Sequence, residues 1–244
     1  MQNNQWQLIQ IGENALMLVL EPPLREKSTQ FMRDLSGFIE KQYPIWLENY
    51  TPAFHQCLFQ FDMWQIDHIQ AKHLLNNIVR QVCDITPTTA SKINQNPDFV
   101  MPVFYDPCPS QTDLIEVSKQ LDKDIAHIVK LHSDALYEVQ AIGFLPQFAY
   151  LSGLHEALRL PRLSQPKARI AAYSLAIAAE QTAIYPQDSP GGWHVIGRAV
   201  CNFNELNQQA INVGQRVKFL PVNETEYRQL VQDYQQKSRA TYAD

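Results

Sequence analysis

GFLPQFAYLSGL (143–154), PRLSQPK (161–167) and QTAIYPQDSPGGWHVIGR (181–198) frame the stretch on which the fold turns. Residues 143–198 hold five of the chain's eight glycines, together with Pro146, Pro161, Pro166, Pro186 and Pro190 and the aromatics Phe144, Phe148, Tyr150, Tyr173, Tyr185 and Trp193. Glycine lets backbone approach backbone or ligand closely, and proline fixes φ while removing a donor. The mixture therefore predicts short strands joined by tight, ordered loops, not a helix bundle.

Working outward, ALYEVQAIGF (135–144), KARIAAYSLAIA (167–178), QTAIYP (181–186), GWHVIG (192–197) and RVKFLPV (216–222) read as strands of a barrel or folded-over sheet. FVMPVFY (99–105) is a further strand. Ser110 and Asp113 form a capping box before Leu114, Val117 and Leu121. Asp122 or Asp124 opens a second helix whose stripe ends at His132, either a satisfied core histidine or a group projecting into a site. A last helix starts at Asn223 with Glu226 as its capping partner, and turns Tyr227, Leu230, Val231 and Tyr234 inward. Upstream, WQLIQIG (6–12) and NALMLVLEP (14–22) are strands and 26–43 is a helix. PAFHQCLFQFD (52–62) is a strand burying Cys57, Phe59 and Phe61, and 66–82 is a helix with Ile66, Ile69, Leu74, Ile78 and Val82 inward. TPTTASKINQNPD (86–98) breaks the apolar periodicity, which divides the chain into a domain over 1–90 and another over 91–244.

Composition narrows the function. A net charge of −5 offers no attraction to nucleic acid or to an anionic membrane surface, and no apolar run approaches a membrane span. The start MQNNQWQLIQ has neither a basic beginning nor an apolar core, so a cytoplasmic protein is expected. Cys57, Cys83, Cys108 and Cys201 are widely spaced, and the pairs His68/His73 and His127/His132 are five apart, a spacing that puts helical side chains on different faces. No metal site is expected.

Gly192 to Arg198 runs G-x-x-x-x-G-R, lacking the lysine and the hydroxyl residue of a phosphate loop, and WHVIGRAV reads as strand where such a loop enters a helix. What remains is a constellation. Pro190-Gly191-Gly192-Trp193 offers unhindered amides beside an indole. Arg162 and Arg198 can each clamp a carboxylate, Tyr185 and Gln181 supply directional hydrogen bonds, and Phe144, Phe148 and Tyr150 form an apolar wall. The competing reading makes the aromatics barrel core, the glycines turns and the arginines surface.

Taken together, the three framing motifs resemble the signature of the family that holds the B component of bacterial ATP-dependent 5-oxoprolinase, the KipI-type histidine-kinase inhibitors and allophanate-hydrolase subunit 1. IGENALMLVLEPPL (11–24), MPVFY (101–105) and LHSDALYEV (131–139) are similar to family segments in the same order. The resemblance implies an α+β fold, with a small ferredoxin-like N-terminal α/β domain followed by a cyclophilin-like β-barrel. It implies the C component (KipA-like) and the A component of 5-oxoprolinase as partners. The reaction it implies is ATP-dependent opening of 5-oxo-L-proline to L-glutamate, with an ATP site that the resemblance does not assign to this chain. A sensor histidine kinase would be the partner in the regulatory branch, and an allophanate- or urea-type amide is the remaining substrate class. The matched motifs imply a cleft lined by Phe148, Tyr150, Arg162, Gln181, Tyr185, Gly191, Gly192, Trp193 and Arg198, with His132 nearby. His132 and Arg198 are the candidates for a catalytic role.

The chain departs from the signature where Gln147 replaces the glycine of P-G-F, where Lys167 replaces an arginine, and where Ala199 replaces a threonine. Tyr173, Ala176, Ala178, Ala179 and Ala183 likewise stand at glycine positions. A position that required positive φ or close backbone approach now carries a Cβ or a phenol, so either the glycines were ordinary strand residues or the cleft is partly filled.

Overall fold

A computed structural model describes residues 5–22, 24–85, 96–108, 110–207 and 210–241, which form two compact units, Met1–Gln95 and Asn96–Asp244. Most of the break expected at 86–98 lies outside the described residues.

In the first unit, β1 (Trp6–Gln10), β2 (Ala15–Leu20), α1 (Ser28–Gln42), β3 (Leu47–Ala53), β4 (Gln56–Phe61) and α2 (His68–Ile85) follow one another. The sheet order is β1-β2-β4-β3 with every pairing antiparallel, so β2 and β3, joined through α1, run parallel on either side of β4. That split β-α-β arrangement is ferredoxin-like. The stretch expected as one strand over 52–62 is instead a hairpin. Phe54 takes φ +55°, which ends β3 after Ala53 and returns the chain into β4. The additional strand, LENYTPA, buries only Leu47 and shows no apolar alternation. Cys57, Phe59 and Phe61 are buried as expected, with Cys57 opposite Leu18 and Phe59 opposite Leu16 across the sheet. The buried stripe of α2 is Ala71, Leu75, Val79 and Val82, while Ile69 and Leu74 face solvent. The large aliphatic residues suggest a helix rotated from its true setting, because the buried stripe includes the small Ala71.

The second unit begins with β5 (Phe99–Phe104), α3 (Leu114–Leu121), α4 (Ile125–Asp134), β6 (Tyr137–Ile142) and β7 (Ala149–Ser152). It continues through β8 (Lys167–Ile170), β9 (Ser174–Ala178), β10 (Gln181–Ile184), β11 (Ser189–Gly191) and β12 (His194–Ala199), then α5 (Phe203–Asn207), β13 (Arg216–Pro221) and α6 (Glu224–Thr241). Seven of the described strands close a barrel in the order β6-β13-β5-β12-β9-β10-β7, with β7 pairing back to β6. Only β13–β5 is parallel among these pairings. β8 and β11 form a separate two-stranded ribbon. The fold is α+β, a ferredoxin-like unit followed by a cyclophilin-like barrel.

The expected single strand 167–178 is broken in two at Tyr173, whose φ is +64°. The expected capping box at Ser110 does not form. Asp113 is the N-cap of α3 without a side-chain cap bond, because its carboxylate is used elsewhere. The box at α6 does form, with Asn223 N–H donating to the Glu226 carboxylate and Glu226 N–H to Asn223 Oδ1.

His132, on α4, is wholly buried in this unit's core, stacked among Tyr105, Tyr137 and Phe219. Thr182 gives its hydroxyl proton to Ala176 O at 3.0 Å, so His132 Nε2–H donates to Thr182 Oγ1 at 3.0 Å, and Tyr105 O–H donates to Nδ1 at 2.8 Å. Burial pushes the imidazole down from 6.5 to about 3. The unfolded chain therefore binds the proton first as pH falls. Stability is complete above about pH 6.5 and declines toward pH 3, by up to ~1.4 kcal/mol per pH unit. Urea unfolding of His132→Gln should show a flatter pH profile over that window than the parent. Identical profiles would remove His132 as the source.

Candidate functional site

Strand alternation separates two faces of the β9–β10 wall. Thr182 reaches the His132 core, so Ala183 next to it points the other way. On that second face Ala176, Ala178 and Ala183 are buried with Phe148, Ile170, Tyr185, Trp193 and Val195, and Tyr150 and Leu145 pack partly buried against them. Phe148 is the hub. Its ring makes edge contacts with Tyr150 (4.9 Å), Tyr185 (5.2 Å), Phe144 (5.3 Å) and Trp193 (5.8 Å). Gln181, half-buried and two residues before Ala183, shares this face.

The loop after β7 is fastened to the same wall. Ala179 N–H donates to Leu160 O (2.6 Å), His194 Nε2–H to Pro161 O (2.9 Å), and Leu163 N–H to Gly192 O (2.7 Å). Arg162 is thereby held at the rim, exposed, with its Cβ within 3.9 Å of where a Cβ on Gly192 would sit. Gly191 backs directly onto the Tyr185 hydroxyl. A Cβ there would collide with that oxygen and lie 2.8 Å from Ile170 Cδ1. Gly191 thus serves close approach rather than a turn.

Burial raises both phenols of this face, Tyr185 to about 12, and the nearby Arg162 charge opposes the rise in each. Both remain protonated donors at neutral pH. Beneath the glycine bend, Asp113 accepts from Lys167 Nζ through both oxygens (2.6 and 2.7 Å) and from Val195 N–H (2.8 Å). Lys167 itself pairs with Gly191 across the ribbon. The sequence pattern assigns Asp113 to a cap and so misses this role. The available signal is Lys167, which keeps the charge of the motif's arginine.

Seven of the nine expected cleft residues are therefore gathered or adjoining: Phe148, Tyr150, Arg162, Tyr185, Gly191, Gly192 and Trp193, and an eighth, Gln181, is on the same face. Arg198 keeps other company, meeting Asp106 at 3.0 Å and lying over the Tyr227 ring at 5.3 Å, with its buried Nε unpaired. His132 lies behind the wall, separated from the aromatic face by β10 itself. Gly192–Arg198 lies in and beside strand β12, not in a loop entering a helix. Among the described residues no cluster of His, Cys, Asp or Glu is arranged to hold a metal.

The departures sort into two kinds. Gln147 (φ +68°), Tyr173 (φ +64°) and Ala179 (φ +50°) occupy the left-handed region that favours glycine. Ala176, Ala178 and Ala183 are ordinary strand residues whose methyl groups fill the aromatic face. The Tyr173 phenol does not obstruct that face, for it donates to Glu205 at 3.1 Å.

Residues 6–213 match the family described as the carboxyltransferase domain, subdomain C and D. The chain is 29% identical to the B component of 5-oxoprolinase from Bacillus subtilis over 91% of this chain and 95% of that one. Among solved structures it resembles TTHA0988, with 28% identity and a TM-score of 0.70 over 86% of this chain, but spans only 40% of that longer protein. It also shares its fold with K. lactis urea amidolyase, at 16% identity and a TM-score of 0.65, covering 94% of this chain and 15% of that protein.

Gly191→Ala should cost ~1–3 kcal/mol in urea unfolding, as overpacking generally does. In a Tyr185→Phe background, which removes the clashing oxygen, the same substitution should cost measurably less. Strictly additive effects would show that the two residues are not in contact.

Proposed function

This chain belongs to the carboxyltransferase domain family, subdomain C and D, and on that premise we propose that it is the B component of an ATP-dependent 5-oxoprolinase. In this reading it acts with the C and A components of that enzyme to open 5-oxo-L-proline to L-glutamate. The observation that carries the reading is the single face on which Arg162, Tyr150, Tyr185 and the Gly191–Gly192 bend meet beside the Phe148–Trp193 wall.

A lactam carbonyl is a poor electrophile because its nitrogen lone pair is delocalised. Transfer of the terminal phosphoryl group of ATP to the carbonyl oxygen, with release of ADP, removes that protection; water then adds to the carbon, phosphate departs, and the ring C–N bond breaks as the nitrogen takes up a proton. The part this chain plays is positioning. Its aromatic cluster holds the rim in place, its phenols donate hydrogen bonds, and its rim arginine supplies positive charge. ATP is used by the assembled complex, and Gly192–Arg198 forms no phosphate loop for it. The catalytic candidates His132 and Arg198 are both engaged away from this rim. That supports a protein that is inactive alone and completed by its partners.

A cytoplasmic setting accords with this chemistry and with four free cysteines. No helix among the described residues is long and apolar enough to cross a membrane.

Mixing this chain with the A and C components should give ATP hydrolysis that depends on 5-oxo-L-proline, and omitting this chain should abolish it. Undiminished turnover without it would refute the assignment.

A further inference from the structure

Resting on the lactam-hydrolase reading, we propose that Arg162, together with the Tyr150 and Tyr185 hydroxyls, forms the seat of the substrate's carboxylate, and that Arg162 determines the preference for a lactam that carries one.

Three observations converge on Arg162. The first is preorganisation. The residues on either side of it are fastened, Pro161 O by the His194 imidazole and Leu163 N–H by Gly192 O, so an exposed side chain springs from a fixed backbone. Little backbone freedom is left to lose on binding. The second is placement. Arg162 stands beside Gly192, whose neighbour Gly191 backs onto the Tyr185 hydroxyl, and Tyr185 and Tyr150 both pack on Phe148. A guanidinium fork and two phenolic donors around one rim suit the two oxygens of a carboxylate. A five-membered ring attached to that carboxylate would lie against Tyr150, a partly buried member at the edge of the aromatic cluster.

The third observation is contrast with the neighbouring arginines. Arg159 meets Glu180 at 3.8 Å, Arg169 meets Asp188 at 2.7 Å and Arg198 meets Asp106 at 3.0 Å. Each is turned toward a carboxylate of the protein. The groups on which the Arg162 charge acts are instead the two phenols of the aromatic face.

The test uses the reconstituted complex. Arg162→Gln should raise the KM for 5-oxo-L-proline by about tenfold to a hundredfold, the loss expected when a charge-assisted hydrogen bond is removed. Arg162→Lys should fall between, because it keeps the charge but loses the fork. The KM for ATP should stay unchanged, and Arg159→Gln, which removes an exposed arginine of the same loop, should behave as the parent. Circular dichroism confirms that the variants are folded. An unchanged lactam KM in Arg162→Gln, or an equal rise in Arg159→Gln, overturns the assignment while leaving the hydrolase reading intact. Absence of lactam-dependent turnover with the parent chain overturns the reading beneath it.

Discussion

Three hydrogen bonds that fasten the 160–163 loop to the barrel are the constraint on which the rest of the site depends. They run from Ala179, His194 and Leu163, and two of them engage the segment from Gly192 to His194. Pro161 and Pro166 leave this loop without backbone donors at two positions and without a strand ladder of its own, so its shape is imposed from outside. Here β9, β12 and the glycine bend impose it. The result is a rim whose arginine and backbone stand in fixed relation to the Phe148 cluster, although Phe148, Arg162 and Trp193 come from separate segments of the chain.

The Asp113–Lys167 pair supports the same arrangement from below. Its carboxylate satisfies the Val195 amide as well as the ammonium, and so joins the start of α3, the ribbon and β12 at one point. Partly exposed pairs contribute little stability, on the order of 1 kcal/mol or less. Its consequence is geometric, since the ribbon bearing Gly191 has no other sheet to pair with among the described residues.

Much of this was legible in the sequence, and the reason is locality. Alternation exposed Cys57, Phe59 and Phe61 as a buried strand face, and the glycine and aromatic motifs lie close enough in sequence for their meeting to be inferred. What failed was information carried by small or polar residues. Leu47–Ala53 lacks an apolar pattern because only Leu47 of it is buried, and Ala71 gives a weaker signal than Ile69 and Leu74. In the site, the sequence could not tell the two faces of β10 apart. One residue of register sends Thr182 to His132 and Ala183 to the aromatic cluster. Nor could it reveal that Arg198 is taken up by Asp106 and Tyr227, which lie far from it along the chain. The glycine departures show the same limit, because Tyr173 and Ala183 look alike as substitutions yet one needs positive φ and the other does not.

The central claim is that the rim is built before any ligand arrives. Amide hydrogen exchange of the ligand-free protein measures this directly at Ala179 and Leu163, the two backbone donors that fasten the loop. Protection comparable to that of the β9 and β12 amides is the predicted result. Exchange at the rate of an unstructured loop would mean that the rim is not preformed, and would contradict the account.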